Sequence, residues 1–157
     1  MKLSTRSRYG TRMLLDIALN SIHGMVRICD ISKRQGISMK YLEKLIRPLK
    51  DGGLIKSKRG PRGGHSLTRD PAEITVGEVV RLLEGKLILT ECAANPSICD
   101  IASDCLTRRV WLEASNAIYE KLDSITFADL LKEAGRAGML VDHCVPSNVN
   151  PRNGKRE

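Results

Sequence analysis

The residues Gln35-Gly36-Ile37-Ser38 form a predicted tight turn between two segments whose apolar residues recur at helical spacing. The first segment carries Ile28 and Ile31, and its predicted end lies at Gly36 because helix C-termini favour glycine. The second segment begins at Ser38, whose hydroxyl can cap a helix N-terminus. Its predicted buried residues are Leu42, Leu45, Ile46 and Leu49. Two helices joined by a short glycine turn outline a helix-turn-helix motif.

A predicted β-hairpin follows these helices. Two short segments of strand character, 54–58 and 65–68, flank the basic, glycine-rich sequence Arg59-Gly60-Pro61-Arg62-Gly63-Gly64. Such a tip has little side-chain bulk and can approach a DNA groove, and its arginines suit the negative potential of a narrow minor groove. The sequence lacks the Gly-x-x-x-x-Gly-Lys-Ser pattern of a nucleotide-binding loop. We therefore predict a mainly α fold with a small β-hairpin wing, a winged helix-turn-helix.

The charge of the chain is unevenly distributed, although the formal total is only +8. Residues 1–69 hold 16 Lys or Arg and 4 Asp or Glu, whereas residues 70–157 hold 10 and 14. A basic surface confined to one part is expected for a protein that binds a polyanion, and the alternative is a solvated charged face. With one Phe, one Trp and three Tyr, the chain offers no stacking platform for single strands. Double-stranded DNA is the partner that the composition favours.

Two further helices are predicted to complete this domain. Residues 5–22 form an amphipathic helix, and another runs from about residue 75 to Glu84, with Thr75 and Glu78 as a capping box. Ile74 is expected to pack on Val79 as a hydrophobic staple. The apolar residues assigned to the first helix are Tyr9, Met13, Leu15, Ile17, Leu19 and Ile22. Cys29, on the short second helix, is interpreted as a small buried apolar residue.

Three thiols lie within fourteen residues, at Cys92, Cys99 and Cys105. Their gaps of six and five residues are wider than the short hooks of structural zinc sites and suit a larger inorganic core such as an iron–sulfur cluster. A redox-active thiol group and inert cysteines are the alternatives. No apolar run has the length of a signal peptide core or a membrane span, so we expect a cytoplasmic protein. In that reducing compartment five cysteines are not expected to form a disulfide framework.

A long helix is predicted after the last of these cysteines, from about Thr107 to Ile125. Its apolar stripe exceeds what a small core needs, so half of it is predicted to contact a second copy of the chain. A two-fold homodimer would match a palindromic operator. The stripe consists of Val110, Trp111, Ala114, Ile118, Tyr119, Leu122 and Ile125. Thr126 and Asp129 resemble the start of another helix, predicted from Phe127 to Arg136.

These observations divide the chain into four predicted parts. Residues 1–85 form the winged helix-turn-helix domain and 86–106 a cysteine-rich loop. Residues 107–137 contain the dimerisation helix and the short helix after it. Residues 138–157 form a flexible tail.

At the level of short motifs the chain resembles the IscR-like winged-helix regulators of the Rrf family, to which NsrR, RirA and CymR also belong. The likeness covers roughly residues 1–135. The motifs that carry it are Met1-Lys-Leu-Ser4, Asp30-Ile31-Ser32, Gln35-Gly36-Ile37-Ser38, Tyr41-Leu42-Glu43, Gly53-Leu54-Ile55, Arg59-Gly60-Pro61 with Gly63-Gly64, Val76-Gly77-Glu78-Val79 and the three-cysteine loop.

The resemblance implies a homodimeric transcription factor with an iron–sulfur cluster, [2Fe-2S] or [4Fe-4S], held by Cys92, Cys99 and Cys105. It also implies base contacts from the second helix of the motif and minor-groove contacts from the wing. The candidate DNA-binding residues are Ser38, Lys40, Tyr41, Glu43, Lys44, Arg47, Lys56, Arg59, Pro61, Arg62, Gly63 and Gly64.

The chain departs from the family pattern at four places. Arg108 stands where IscR-like proteins have a histidine ligand, and Arg8 stands where some relatives have a carboxylate ligand. The first gap between cysteines is one residue longer than in IscR, and Arg62 and His65 replace a glycine and a tyrosine of the usual wing. The fourth ligand is therefore unassigned. Asp104, His143 and Cys144 are fallback ligands.

The function expected from these residues is transcriptional regulation that depends on a cluster sensing iron status, oxygen or nitric oxide. The alternative is a regulator without a cluster, in which the same cysteines oxidise or bind zinc. A protein that docks on an assembly enzyme through the long helix is a third hypothesis. An enzyme is not expected, because no Ser-His-Asp or Cys-His set, carboxylate pair or nucleotide loop occurs in the sequence.

Overall fold

Seven α-helices and one antiparallel hairpin make up residues 3–136, the part of the chain that the computed structural model describes. The elements are α1 Thr5–Asn20, α2 Ile28–Gln35, α3 Met39–Asp51, β1 Ile55–Lys58, β2 Gly64–Leu67, α4 Val76–Glu84, α5 Glu91–Ala94, α6 Leu106–Asp123 and α7 Phe127–Arg136. Short 3-10 turns occur at Ser21–His23, Pro71–Glu73 and Pro96–Ile98. The predicted fold class is confirmed. None of the described helices is long and apolar enough to cross a bilayer.

The core lies among α1, α2, α3 and α4, with α7 closing one side through Phe127. It is almost wholly aliphatic, and Met13, Leu42 and Val79 are fully buried. The other fully buried large side chains are Leu14, Ile17, Ile31, Leu45, Leu49, Leu54, Ile55, Ile74 and Phe127. Each fully buried Leu, Ile or Val contributes about 1.5–3 kcal/mol to stability. Because the cluster contains residues of both α2 and α3, its packing holds these two helices against each other.

The turn between α2 and α3 has the predicted geometry. Gly36 ends α2 in the left-handed conformation, with φ 64°, and its N–H donates to the Ser32 carbonyl. Glycine adopts this conformation without the steric penalty that other residues incur. Ser38 occupies the N-cap position of α3 as predicted, but its side chain makes no capping hydrogen bond. Helix α3 buries Leu42, Leu45 and Leu49, whereas Ile46 is only partly buried.

Two expectations for the first helices are wrong. Ile22 was assigned to the apolar face of the first helix, but it is 81% exposed. The reason is that α1 ends at Asn20 and a 3-10 turn follows, which changes the angular spacing of the side chains. Cys29 is partly exposed and not buried.

The wing pairs Ile55 with Leu67 and Lys58 with Gly64 at the two ends of its antiparallel register. A third segment joins it, because Val26 forms an isolated antiparallel bridge with His65. Thus the wing is seated on the segment that leads into α2.

Helix α4 begins at its predicted cap, Thr75, but the reciprocal half of the predicted capping box is wrong because the Glu78 side chain binds elsewhere. The Thr75 hydroxyl accepts the Glu78 N–H at 3.1 Å, whereas the Glu78 carboxylate accepts from Arg69 at 2.5 Å. Helix α7 is also capped as predicted, by reciprocal hydrogen bonds between Thr126 and Asp129. Helix α6 ends two residues before the predicted Ile125, with Ser124 as its C-cap. The predicted flexible tail, 138–157, lies outside the described residues.

Candidate DNA-binding face and cysteine loop

One face of α3, the predicted recognition helix, is buried and the opposite face is solvent-exposed. Lys40, Glu43, Lys44 and Arg47 are exposed, as is Ser38 at the helix start. Because the apolar residues recur at helical spacing, these polar residues fall together on the outer surface. Three cations and one carboxylate are thus presented by one helix, at a width that a major groove admits.

Tyr41 differs from the other predicted contacts on α3 because it is partly buried. Its ring packs edge-on against Tyr9 of α1, with centroids 5.8 Å apart. The guanidinium carbon of Arg12 lies over the Tyr9 ring, 5.6 Å from its centroid. Aromatic packing therefore fixes where the Tyr41 hydroxyl lies relative to the recognition helix.

The wing tip exposes Arg59, Pro61 and Arg62, and Lys56 is exposed on β1. Gly63, in contrast, is buried. A Cβ on Gly63 would lie 2.9 Å from the Gly60 carbonyl oxygen and closer still to that of Lys58. The close turn itself thus requires this glycine, whereas its contact with DNA remains a prediction.

His65 lies on β2 beside Ser57, with 2.9 Å between its Nδ1 and the Ser57 hydroxyl. Burial lowers the pKa of His65, and the nearby Lys50 charge lowers it further. The ring is therefore favoured in its neutral form. We find it in the wing, as the sequence predicted.

A buried polar network fixes α1 against α2. The carboxylate of Asp16 is 2% exposed and accepts two hydrogen bonds from Arg34, at 2.5 and 3.0 Å from Nη2 and Nε. Gln35 Nε2 donates to the same carboxylate at 2.8 Å. These residues lie next to the glycine turn, so the network holds α2 in place behind the recognition helix. Their role was missed in the sequence, where a lone Asp in a helix has no distinguishing pattern.

The three cysteines of the loop are free thiols, and each is partly exposed. Cys92 lies in α5, Cys99 follows the 3-10 turn at Pro96–Ile98, and Cys105 is the N-cap of α6. The loop is seated by two small buried residues, Ala93 and Ala102.

Arg108 joins the two ends of the cysteine loop. The Cys105 sulfur lies 3.1 Å from the Thr107 hydroxyl, and Arg108 Nε donates to the Cys92 carbonyl at 2.9 Å. The Thr107 hydroxyl and the Arg108 backbone N–H, both in the first turn of α6, lower the pKa of the Cys105 thiol by favouring its thiolate. Arg108 is thus a structural link at the position where a histidine ligand would stand.

The chemistry of this donor set fits an iron–sulfur cluster, since all three are free cysteines and such clusters are held by cysteine thiolates. Within residues 3–136, however, no three His, Cys, Asp or Glu side chains are arranged as a ready metal site. Cluster binding would therefore require rearrangement of the loop. Of the fallback ligands, Asp104 accepts from Ser103 at 3.2 Å, and His143 and Cys144 lie outside the described residues.

The segment between α4 and α5 is hydrogen-bonded to α6. The Tyr119 hydroxyl donates to the Gly85 carbonyl at 2.7 Å and accepts the Leu87 N–H at 2.7 Å. The Ser115 hydroxyl accepts the Leu89 N–H at 3.2 Å. The sequence assigned Tyr119 to the stripe facing a partner, so this internal role was missed.

Arg81 and Asp123 form a second link between α4 and α6. Arg81 donates both terminal nitrogens to the Asp123 carboxylate and lies 4.4 Å from the Tyr119 ring centroid. Hydrogen bonds from Arg81 lower the pKa of Asp123. These contacts join α6 to α4, whose Val79 and Leu83 belong to the core.

Comparison with known proteins identifies the chain's relatives. A family model described as Rrf2, iron-dependent transcriptional regulator, matches residues 3–133. The chain belongs to the Rrf2 family. The protein rrf2 of Nitratidesulfovibrio vulgaris is 51% identical over 134 residues, which are 85% of this chain and 89% of that protein.

Two solved Rrf2-family structures are also similar. T. potens IscR has a TM-score of 0.71 at 40% identity and covers 87% of this chain and 90% of its own. CymR of B. subtilis, the global cysteine regulator, has a TM-score of 0.71 at 34% identity, covering 85% and 98%. The chain is thus a DNA-binding transcriptional regulator and not an enzyme, and the resemblance in its motifs is confirmed.

Proposed function

We propose that this Rrf2-family regulator binds its operator in a manner that depends on an iron–sulfur cluster held by Cys92, Cys99 and Cys105. The observation that carries the proposal is the placement of three free thiols in one surface loop that leads directly into α6. When bound, the cluster would supply iron that reacts with oxygen or nitric oxide and is lost when iron is scarce. The cluster would be of the [2Fe-2S] or the [4Fe-4S] type.

A three-thiolate site leaves one ligand position to something other than a fourth cysteine of the loop. Arg108 cannot fill it, because a guanidinium remains protonated and has no lone pair to donate. We infer that solvent, a weak oxygen ligand or a small molecule completes the site. Such a position is open to attack, which is useful in a sensor.

The connection from the loop to DNA would pass through α6 and α4. Tyr119 and Ser115 hold the segment between α4 and α5, and the Arg81–Asp123 pair joins α4 to α6. A change in the loop would thus alter the position of α6 relative to the core. Allosteric coupling requires such an element with two arrangements.

The proposed DNA contacts come from α3 and the wing. The exposed cations Lys40, Lys44 and Arg47 would bind phosphates, and Glu43 would accept a hydrogen bond from a cytosine amino group. The exposed Lys56, Arg59 and Arg62 would bind in the adjacent minor groove or on its phosphates.

A homodimer would place two such faces on a palindromic operator. Its support is the surface of α6, where Leu106, Val110 and Trp111 are 73%, 53% and 41% exposed. Ser115 is its one buried residue. A monomer would leave this apolar surface in water, which a second copy of α6 would cover.

The first experiment is anaerobic purification with analysis of iron, acid-labile sulfide and visible absorption. The unmodified protein should be coloured, and Cys99→Ser should lose iron and colour. Cys29→Ser is the matched control, because Cys29 lies on α2, outside the loop, and this variant should keep both. A Cys99→Ser protein with undiminished iron would refute the ligand assignment.

Dimerisation is tested by sedimentation equilibrium. Val110→Glu places a charge on the exposed apolar surface of α6 and should shift the protein toward monomer. Asn116→Glu adds the same charge to the same helix at an exposed position about 120° around the helix from Val110, and should not. Equal sedimentation of Val110→Glu and the unmodified protein would argue against this interface.

A cluster-free thiol regulator is the second candidate, and the lowered pKa of Cys105 favours it, because the thiolate is the reactive form. Hydrogen peroxide would convert Cys105 and a second thiol into one disulfide, with both hydrogens leaving in two molecules of water. Colourless protein that binds zinc, or whose DNA affinity changes on peroxide treatment without iron, would support this candidate over the cluster.

A further inference from the structure

The wing is attached to the segment before α2 at its base. Val26 N–H donates to the His65 carbonyl at 2.8 Å, and His65 N–H donates to the Val26 carbonyl at 2.8 Å. The backbones approach so closely that a Cβ on Gly64 would lie 2.6 Å from the Val26 oxygen. This attachment fixes one end of β2 but leaves the tip several residues away.

A second attachment reaches the tip itself. Arg27 Nη2 donates to the Pro61 carbonyl at 2.7 Å, across a groove of about 700 Å³ between the wing and the start of α2. Pro61 lies in the turn that presents Arg59 and Arg62, and the Gly63 N–H closes this turn on the Gly60 carbonyl at 2.9 Å. The Arg27 side chain therefore holds the part of the wing that extends furthest from the core.

We propose that Arg27 is a positioning residue that locks the wing tip to α2, so that the wing and the recognition helix meet DNA as one rigid body. The proposal rests on the DNA face proposed above and not on the cluster. Helix α2 packs directly against α3, so a wing held by α2 keeps a fixed distance from the recognition helix.

The physical reason is the weakness of a two-stranded hairpin by itself. Such a hairpin is marginally stable in water, and ordering a mobile tip on binding costs conformational entropy. A charge-assisted hydrogen bond to a carbonyl orders the tip before DNA arrives. Arg59 and Arg62 are the cations of the wing tip, whereas Arg27 orients the turn that carries them.

Arg27 is itself an exposed cation, so a direct phosphate contact is the competing explanation. The two roles predict different effects of an Arg27 substitution once the wing arginines have been removed. A positioning residue acts only through the arginines that it positions, whereas an independent phosphate contact adds to theirs.

A double-mutant cycle separates the roles, with a labelled duplex selected by the unmodified protein from a random-sequence library as the probe. Arg27→Ala should weaken binding about five- to tenfold in the unmodified wing, since a hydrogen bond to a charged group is lost. In an Arg59→Ala/Arg62→Ala wing the same change should weaken binding less than about twofold. Equal losses in both wings, or no loss in either, would overturn the proposal.

Hydrogen exchange of the DNA-free protein supplies an independent readout. Arg27→Ala should speed exchange of the Gly63 amide, because the turn is no longer held. Lys33→Ala is the control: it removes an exposed cation from α2 without touching the wing, and exchange at Gly63 should stay unchanged. Unchanged exchange in Arg27→Ala would also overturn the proposal. Because no step involves iron, a protein without a cluster leaves this test intact.

Discussion

Helices α1 to α4 and helix α6 use their apolar residues in opposite ways. The first four helices enclose a core in which Met13, Leu42 and Val79 are fully buried. Helix α6 is longer than any of them, yet Ser115 is its one buried residue and Leu106 is 73% exposed. The N-terminal helices thus have a complete core within one chain, whereas α6 has an apolar surface that needs a cover.

This difference is what the proposed function requires, namely a rigid DNA-binding surface and a more easily displaced element in one chain. Segments with few buried contacts open at low free-energy cost, and those with a dense core open only with the whole protein. The cysteine loop and α6 belong to the first kind. The proposed function would use this contrast, because a change in the loop would have to move α6 without unfolding the helices of the core.

The largest expected effect is on the buried network of the N-terminal helices. Asp16→Ala removes the buried carboxylate that accepts hydrogen bonds from both Arg34 and Gln35, and should lower the free energy of unfolding by about 3–5 kcal/mol. Urea denaturation measures it. The control Asp51→Ala removes a carboxylate that is 70% exposed and 3.8 Å from Arg47, and should cost less than about 1 kcal/mol. Similar losses in both variants would show that the network is not the stabilising feature.

A smaller effect is expected at the one buried residue of α6. Ser115→Ala removes the acceptor of the Leu89 N–H and should cost about 1–3 kcal/mol, because a partly buried donor loses its partner. Exchange of the Leu89 amide should accelerate with it. Ser124→Ala, at the exposed C-cap of the same helix, is the comparison and should leave that amide unaffected.

The link between α4 and α6 should weaken in acid. Hydrogen bonds from Arg81 lower the pKa of Asp123, so this carboxylate stabilises the fold above its unfolded pKa of about 3.9, and the contribution is lost as the pH falls through the lowered folded value. Unfolding free energies of the unmodified protein and Asp123→Asn should differ above the unfolded pKa and converge as the pH falls below the lowered folded pKa. A constant difference across that range would mean that the ion pair contributes nothing.

The smallest expected effect is at the wing. Burial and Lys50 lower the pKa of His65, so stability should be complete above its unfolded value of about 6.5 and decline as the pH falls from there through the lowered folded pKa. An NMR titration of the imidazole should give a value below 6.5, and His65→Gln should flatten the decline in that range. A normal or raised pKa would contradict the packing of this ring.

Much of the fold followed from local patterns. Gly36 marks a helix end because glycine readily adopts the left-handed conformation that ends the helix there. Thr75 and Thr126 mark helix starts because their hydroxyls accept backbone N–H groups. The exposed cations of α3 were recognisable because helical spacing decides which side chains share a surface. The cysteines were expected to be free because a reducing compartment disfavours disulfides. Ile22 was assigned wrongly because the helix ended two residues earlier, and the stripe on α6 did not reveal that Tyr119 hydrogen-bonds to Gly85.

By itself, the sequence determined the order of the helices other than α5, the wing, the basic character of the first half and the three thiols between two unlike regions. These properties depend on neighbours within a few residues, and the physics of caps, turns and periodicity acts over that distance. The short helix α5 was not predicted, because 86–106 was interpreted as a loop. Only the tertiary structure decided that Asp16 meets Arg34, that Arg27 holds the wing tip, and that Arg108 joins the ends of the cysteine loop. Such contacts join residues 16 to 34 positions apart, and their partners are selected by how the helices pack.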